Sequence, residues 1–319
     1  MSIISKDISK AVKLLNNEEI VAIPTETVYG LAGNIYSEKA VKAIFETKQR
    51  PFFNPLIVHI PNIEYLETLV EDIPEKAKLL AEAFWPGPIT LVLKKKSIIP
   101  YLITGGKDTV AVRIPNHPMT LELLATLDFP LAAPSANPFN RISPTTAEHV
   151  EGYFKNEIKM VLDGGPCQKG IESTIIGFEN GEPIVYRLGS TSIEDLEAVV
   201  GNVIIKNKKE AAPEAPGMLE RHYAPKTKTV LTSHLTKTLK DYKGLRIGLL
   251  TYNDILNNDA IDFKIILSES KNLEEAASKL YDALHQLDQQ NLDIIIAEQL
   301  PDYGLGKSIN DRLLRATKS

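Results

Sequence analysis

Ile23-Pro24-Thr25-Glu26-Thr27-Val28-Tyr29-Gly30-Leu31-Ala32-Gly33 is the stretch around which the chain is organised. An apolar strand, Ile20 to Ile23, runs into a proline and then presents Thr25, Glu26, Thr27 and Tyr29 before two glycines release the chain. Proline ends a strand, and glycine lets backbone approach a ligand closely. Polar side chains therefore stand at a strand end beside pliable backbone, where open α/β sheets bind ligands. A capped turn uses the same residue types, and only their company elsewhere in the chain separates the two.

Before this stretch, Ser5 can cap a helix with Ile8, Ala11, Val12 and Leu15 on one face. After it, Ser37 caps a second helix, with Ala40, Val41, Ile44 and Phe45 inward, that ends in Lys48-Gln49-Arg50-Pro51. Apolar runs at Leu56–Ile60, Ile89–Leu93, Thr109–Pro115, Leu131–Ala133, Met160–Asp163, Ser173–Gly177 and Pro183–Arg187 read as strands. Helices are expected over Pro74–Phe84 and Thr146–Val150, and Trp85-Pro86-Gly87-Pro88 is a rigid turn. Strands in runs with a few helices predict an α+β fold on a mixed, largely antiparallel sheet.

From Lys206 to Lys228 the periodicity breaks, and Pro213, Pro216 and Gly217 mark a linker. It ends in Arg221-His222-Tyr223-Ala224-Pro225, and a long loop carrying His and Tyr suits a lid over a binding site. Beyond it, strands at Thr229–Leu231, Leu245–Leu250, Ile265–Leu267 and Leu292–Ala297 alternate with helices at Leu235–Tyr242, Leu273–Gln289 and Lys307–Ala316. That alternation predicts a small, separate, Rossmann-like α/β domain with parallel strands. The expected division is residues 1–205, a linker at 206–228, and an accessory domain at 229–319.

With 319 residues, 43% hydrophobic and 24% charged, the sequence is that of an ordinary globular protein. Its net charge is −5, with 11 Lys/Arg against 13 Asp/Glu in residues 230–319 and 25 against 28 before them. Neither part has the basic excess of a protein that lives on phosphate backbone. No leader or membrane span is apparent, and the single cysteine, Cys167, cannot form an internal disulfide. The expected location is the cytoplasm, away from membranes.

Several chemistries are disfavoured. Gly306-Lys307-Ser308 has only the tail of a phosphate-binding loop, since Pro301 stands where the first glycine belongs. There is no Gly-x-Ser-x-Gly elbow, and six scattered histidines without a Cys-x-x-Cys pair argue against a metal centre. What remains is a set of cations and hydroxyls at strand ends: Lys48, Arg50, Arg113, Ser135, Ser143, Thr174 and Arg187. Guanidinium forks and hydroxyls near exposed backbone suit a polyphosphate or carboxylate ligand. Phosphoryl and nucleotidyl transfer require positioning and charge neutralisation more than a protein nucleophile. An anion-binding α/β enzyme and a non-catalytic binding domain both fit these residues.

The ordered motifs Pro24 to Leu31, Lys48-Gln49-Arg50-Pro51 with Asn54-Pro55-Leu56, Trp85 to Thr90, Arg113-Ile114-Pro115 with His117-Pro118, Ser135-Ala136-Asn137, Ser143-Pro144-Thr145, and Asp163-Gly164-Gly165 with Glu172-Ser173-Thr174 are distinctive together. Their series resembles the YrdC-type threonylcarbamoyl-AMP synthases. Pro216-Gly217-Met218, His222-Tyr223-Ala224-Pro225, Gly304-Leu305-Gly306, Asn310 and Arg312-Leu313 resemble the linker and accessory domain of the long, two-domain form. Phe139-Asn140 and Leu219 depart from that pattern, which usually has Ser-Gly and often lysine there.

The resemblance implies a twisted sheet with a concave cationic cavity, condensing L-threonine, bicarbonate or CO2, and ATP into threonylcarbamoyl-AMP and pyrophosphate. It implies Thr27, His59, Arg113, Ala133 and Ser173 around L-threonine, with Arg113 on its carboxylate. Lys48, Arg50, Asn54, Thr109, Ser135, Ser143, Arg187 and Tyr223 would surround ATP, with Lys48 and Arg50 as the catalytic cations on its phosphates. Mg2+ would arrive with ATP, without a protein metal site or an organic cofactor. The product would pass to the tRNA threonylcarbamoyl transferase machinery, and stable contact with tRNA itself stays open. A structured-RNA-binding protein and a related carbamoyl-transfer enzyme are the alternatives.

Overall fold

The computed structural model describes residues 3–206, 222–253, 256 and 258–318. The linker positions Pro213, Pro216 to Met218 and Leu219 lie outside the described residues. The chain opens with β1 (Ile3–Ser5), α1 (Ile8–Asn16), β2 (Val21–Ile23), β3 (Gly30–Asn34), α2 (Glu38–Lys48) and β4 (Ile57–His59). Next come α3 (Leu66–Leu69), α4 (Glu75–Phe84), β5 (Ile89–Lys94), α5 (Tyr101–Thr104) and β6 (Thr109–Arg113). They are followed by α6 (Pro118–Thr126), β7 (Leu131–Ala132), α7 (Ala147–Phe154) and β8 (Met160–Leu162). The hairpin β9 (Thr174–Glu179) and β10 (Glu182–Arg187), then α8 (Ile193–Val200) and β11 (Ile204–Ile205), complete the first sheet. The second part runs β12 (Lys228–Thr232), α9 (Leu235–Asp241), β13 (Ile247–Thr251), β14 (Phe263–Ile266), α10 (Leu273–Asp288), β15 (Ile294–Glu298) and α11 (Leu305–Ala316).

The first eleven strands form one twisted mixed sheet in the order β1-β8-β2-β3-β7-β4-β6-β5-β9-β10-β11. Parallel and antiparallel neighbours are equally frequent in it, so the expected antiparallel majority is absent. The remaining four form a second sheet, β12-β15-β13-β14, all parallel as the alternation predicts.

Several helix starts follow from local chemistry. Ser37 accepts a hydrogen bond from the Ala40 amide, and Thr146 and Asn272 cap α7 and α10 in the same way. The cap of α1 is Asp7, whose carboxylate accepts from the Lys10 amide; Ser5 belongs to β1, paired with Leu162. Gly30 and Gly33 also differ from expectation, since they lie inside β3, Gly30 paired antiparallel with Ile23 of β2 and Gly33 with Ala132 of β7. The turn is made upstream by Thr25. Its hydroxyl donates to Val28 O (2.6 Å) and accepts from the amides of Thr27 and Val28, a hydroxyl-closed turn.

Side chains alternate across the first sheet with period two. Ala22, Leu91, Leu93, Val110, Val112, Ile176 and Val185 face a core closed by α2, α4, α7 and α8. On the opposite face Val21, Ile23, Leu131, Met160 and Leu162 pack beneath α1 and α6. Further along that face Ile57, Val92, Ala111, Ile175, Ile184 and Tyr186 form a separate apolar group. The residues two positions from some of these, His59, Arg113 and Ser173, line a cavity.

The two sheets are joined through a common core. Val28, Ile142, Ile171 and Tyr223 pack with Leu280, Tyr281, Leu284 and Leu313 of the second part. The loop before β9 meets α10 backbone to backbone at Gly170, whose φ is +70°, and a Cβ there would collide with Ser278 and Ala277. Gly170→Ala is expected to destabilise the protein by about 2 kcal/mol or more through strain and loss of this contact, measured as a lower midpoint in denaturant.

Candidate active site

The cavity is lined by Thr25, Thr27, Val28, Gly30, Arg50, Ile57, His59, Arg113, Ala133, Pro134, Ser135, Glu172, Ser173, Arg187, His222 and Tyr223. All five residues expected around threonine, and Arg50, Ser135, Arg187 and Tyr223 of the ATP set, are therefore together. Lys48, Asn54, Ser143 and Thr109 are not in the lining. Lys48 is buried just behind it, and its ammonium donates to the carbonyls of Ser135 and Asn137. Asn54 is fully buried and its carbonyl accepts from Arg50 Nε (3.2 Å). Ser143 donates to Glu172 Oε1 (2.6 Å). Thr109 starts β6 while Arg113 ends it, about 13 Å apart at the usual strand rise.

Arg113 is the most constrained of the cations. Its Nε donates to Gly87 O (3.2 Å), Nη1 donates to Thr27 Oγ1 (2.9 Å), and Nη2 stands 2.7 Å from Glu26 Oε1. Both members of the ion pair are buried, at 4% side-chain exposure. Glu26, which the sequence leaves open between ligand contact and turn, thus holds a guanidinium in a water-poor site. Thr25 serves the turn and also borders the cavity.

Arg187 arrives by an irregularity. The β9–β10 register shifts between Val185 and Arg187, which inserts one extra residue and breaks the alternation. Its guanidinium then donates to Ser173 O (2.8 Å from Nη2) and Ser173 Oγ (3.1 Å). Arg50 donates from Nη2 to Pro55 O (2.9 Å). Burial pushes Arg50 down to about 9, and Arg187 pushes it the same way. A guanidinium does not deprotonate in practice, so the shift expresses an unmet demand for negative charge. Lys48 is pushed well below its ordinary value by burial and then by Arg50.

His222 and Tyr223 lie among these cations. Tyr223 is buried in the left-handed region, φ +63°, a conformation costly for a bulky residue. His222 is pushed well below the imidazole range by burial, then by Arg50, Lys48 and Arg187. The Phe139-Asn140 loop grips this segment: Asn140 adopts φ +66°, its carbonyl accepts from the Ala224 amide (2.9 Å), and the Phe139 ring meets His222 edge-on. Asparagine tolerates that backbone region, so the departure from Ser-Gly leaves the turn intact.

Buried polar atoms without a partner gather here: His59 Nδ1, Tyr223 OH, His222 Nδ1 and the Asn54 carboxamide. Such atoms are rare in proteins, and here they offer donors and acceptors to a polar ligand. Two other candidates from the sequence carry no such chemistry. Burial pushes the Cys167 thiol up, away from a reactive thiolate. Gly306 is pressed against Pro301 O, Lys307 pairs with Glu194 and Ser308 donates to Gly189 O, so that stretch is helix packing and no phosphate loop. Glu172, Tyr281, Arg312 and Glu26 gain roles that spacing could not suggest, because their partners are distant in sequence.

A family model described as telomere recombination matches residues 13–189, and one described as the threonylcarbamoyl-AMP synthase C-terminal domain matches residues 191–317. The threonylcarbamoyl-AMP synthase of Pyrococcus abyssi is 39% identical over 96% of this chain and 93% of its own length. That of Bacillus subtilis is 40% identical over 97% and 92%. A crystal structure of P. abyssi Sua5 complexed with L-threonine superposes with TM-score 0.91 at 38% identity, covering 99% of this chain and 97% of that one.

The buried histidines make stability depend on pH. His59 is pushed down to about 3 by burial and Arg113, and His285 to about 3 by burial and the stacked His149. Both stay neutral in the folded protein while the unfolded chain binds protons below about pH 6.5. Stability is therefore complete above that pH and falls as pH drops toward 3, by about 1.4 kcal/mol per unit for each histidine. Denaturant midpoints at pH 7, 6 and 5 should fall steadily, and His285→Gln should make the fall shallower.

Proposed function

The chain belongs to the threonylcarbamoyl-AMP synthase family in its long, two-domain form, and we propose from that membership how its cavity carries the reaction. It is an ATP-using, nucleotidyltransferase-type enzyme that condenses L-threonine, bicarbonate or CO2, and ATP into threonylcarbamoyl-AMP and pyrophosphate, for tRNA modification. The observation that carries the assignment of roles is the gathering of Arg50, Arg113 and Arg187 with unpartnered buried polar atoms at one cavity.

Threonine enters with its carboxylate on Arg113, whose three contacts fix the fork before substrate arrives. Thr27, His59, Ala133 and Ser173 border the amino acid. Held neutral, His59 adds no positive charge beside the amine that must become nucleophilic. The amine nitrogen bonds to the carbon of CO2 and loses a proton, giving a carbamate. A carbamate oxygen then attacks the α-phosphorus, and the bond to the leaving pyrophosphate breaks.

The negative charge on the departing phosphates is met by Arg50 and Arg187, while Lys48 holds the Ser135–Asn137 backbone that faces them. Ser135, Ser143, Asn54 and Tyr223 complete the nucleotide set, and Thr109 belongs to it only through the resemblance. Mg2+ carried by the triphosphate would supply further charge neutralisation at the phosphates. The linker, residues 206–228, acts as the lid, closing His222 and Tyr223 over a hydrolysable product. It joins a catalytic unit at 1–205 to an accessory unit at 229–319.

The product passes to a tRNA threonylcarbamoyl transferase, and the site of action is the cytoplasm. Among the described residues no helix is long and apolar enough to cross a membrane. Preference for threonine over serine rests on one methyl, worth about 1–3 kcal/mol.

Purified protein should release pyrophosphate from ATP only when threonine and bicarbonate are both present. Arg113→Ala should lower kcat/KM for threonine about a hundredfold, the usual effect of orphaning a buried charge. Pyrophosphate release without threonine, or an Arg113→Ala variant equal to wild type, would count against this reading.

A further inference from the structure

The cavity lining contains one carboxylate among the described residues, that of Glu172. It is 5% exposed and faces a site rich in arginine. Two of its three partners come from the second part of the chain. Oε1 accepts from Ser143 Oγ (2.6 Å) and Tyr281 OH (3.0 Å), while Oε2 accepts from Tyr281 OH (2.9 Å) and Arg312 Nε (3.2 Å). Tyr281 stands on α10 and Arg312 on α11.

Arg312 is completely buried, and its guanidinium carbon is 5.2 Å from the centroid of the Tyr223 ring, a cation–π contact. Its Nη1 donates to Asp311 Oδ2 (3.1 Å), and Tyr281 packs 5.7 Å from Tyr223, centroid to centroid. One guanidinium thus touches both the cavity's carboxylate and the ring of the proposed lid.

We propose that Arg312 and Tyr281 make the accessory part a working component of the nucleotide site, as positioning residues. They tie the Glu172 carboxylate to the cavity wall and seat the Tyr223 ring, so that a polyphosphate meets guanidinium groups and no unpaired carboxylate. The inference rests on the cavity holding ATP. Without Arg312, the Glu172 carboxylate loses its buried guanidinium partner and is set against the incoming phosphates. Without Tyr281 OH it loses one donor shared between both oxygens. In either case the damage comes from an orphaned negative charge, so neutralising that charge repairs it. A packing defect is not repaired this way.

The test uses the full chain and two readouts, calorimetric binding of a non-hydrolysable ATP analogue and threonine-dependent pyrophosphate release. Arg312→Ala should weaken analogue binding about tenfold or more, the effect of one charge-assisted hydrogen bond. Adding Glu172→Gln to Arg312→Ala should recover most of that loss, and Arg312→Lys should fall between wild type and alanine. Threonine binding should change less than about twofold, since Arg113 lies in a different hydrogen-bond group.

If Arg312→Ala fails to fold, Tyr281→Phe carries the test. It keeps the ring and removes only the hydroxyl, and a loss of about threefold or more in analogue affinity is expected. Analogue affinity unchanged in both variants would overturn the proposal, as would a double variant as weak as Arg312→Ala. Wild-type protein that binds the analogue yet needs no threonine for pyrophosphate release would overturn the assigned reaction and leave this inference standing. Wild-type protein that binds no analogue would overturn both.

Discussion

A guanidinium group removed from water must find its counter-charges and acceptors inside the protein. Arg50, Arg113, Arg187 and Arg312 are all buried at or beside one cavity, and much of the architecture consists of the means by which they are tolerated. Arg113 has Glu26 and Thr27, Arg187 has the Ser173 carbonyl, Arg50 has two carbonyls of its own loop, and Arg312 has Glu172. Carbonyls stabilise a cation without cancelling it. Arg50 borders the cavity with its charge met by carbonyls, which makes the site attractive to anions before any substrate is present.

Local signals in the sequence carry most of the fold. Ser37, Thr146 and Asn272 cap the helices that their spacing announces, and the apolar alternation of β5, β6 and β9 gives the two faces of the sheet. The errors are local as well. Ser5 and Asp7 are both competent caps two residues apart, and strand pairing with β8 decides between them. Gly30 and Gly33 look like turn residues, yet the hydroxyl of Thr25 already closes the turn and leaves Gly30 free to pair with β2 and Gly33 with β7.

The site was legible where residues line up by motif and opaque where they meet through topology. Thr27, His59, Arg113 and Ser173 come from separate motifs and converge on the cavity. The register shift that turns Arg187 inward has no signature in Pro183–Arg187, since it depends on how β9 is paired. Glu172 reads as part of a short polar motif, and its partners Tyr281 and Arg312 lie 109 and 140 residues away. No periodicity argument spans such a distance.

That separation along the chain has a temporal side. β1 pairs with β8 and Glu172 with Arg312, so contacts that complete the first sheet and its cavity wait for residues made long afterwards. At roughly 5–20 residues per second of synthesis, Glu172 would emerge on the order of ten seconds before the arginine that neutralises it. A nascent chain at that stage carries its substrate-facing motifs but an incomplete electrostatic balance. If Arg312 and Tyr281 position the nucleotide site as proposed, catalytic competence is linked to completion of the polypeptide, and a chain interrupted between the two sheets would bind nucleotide poorly while it waits for rescue or degradation.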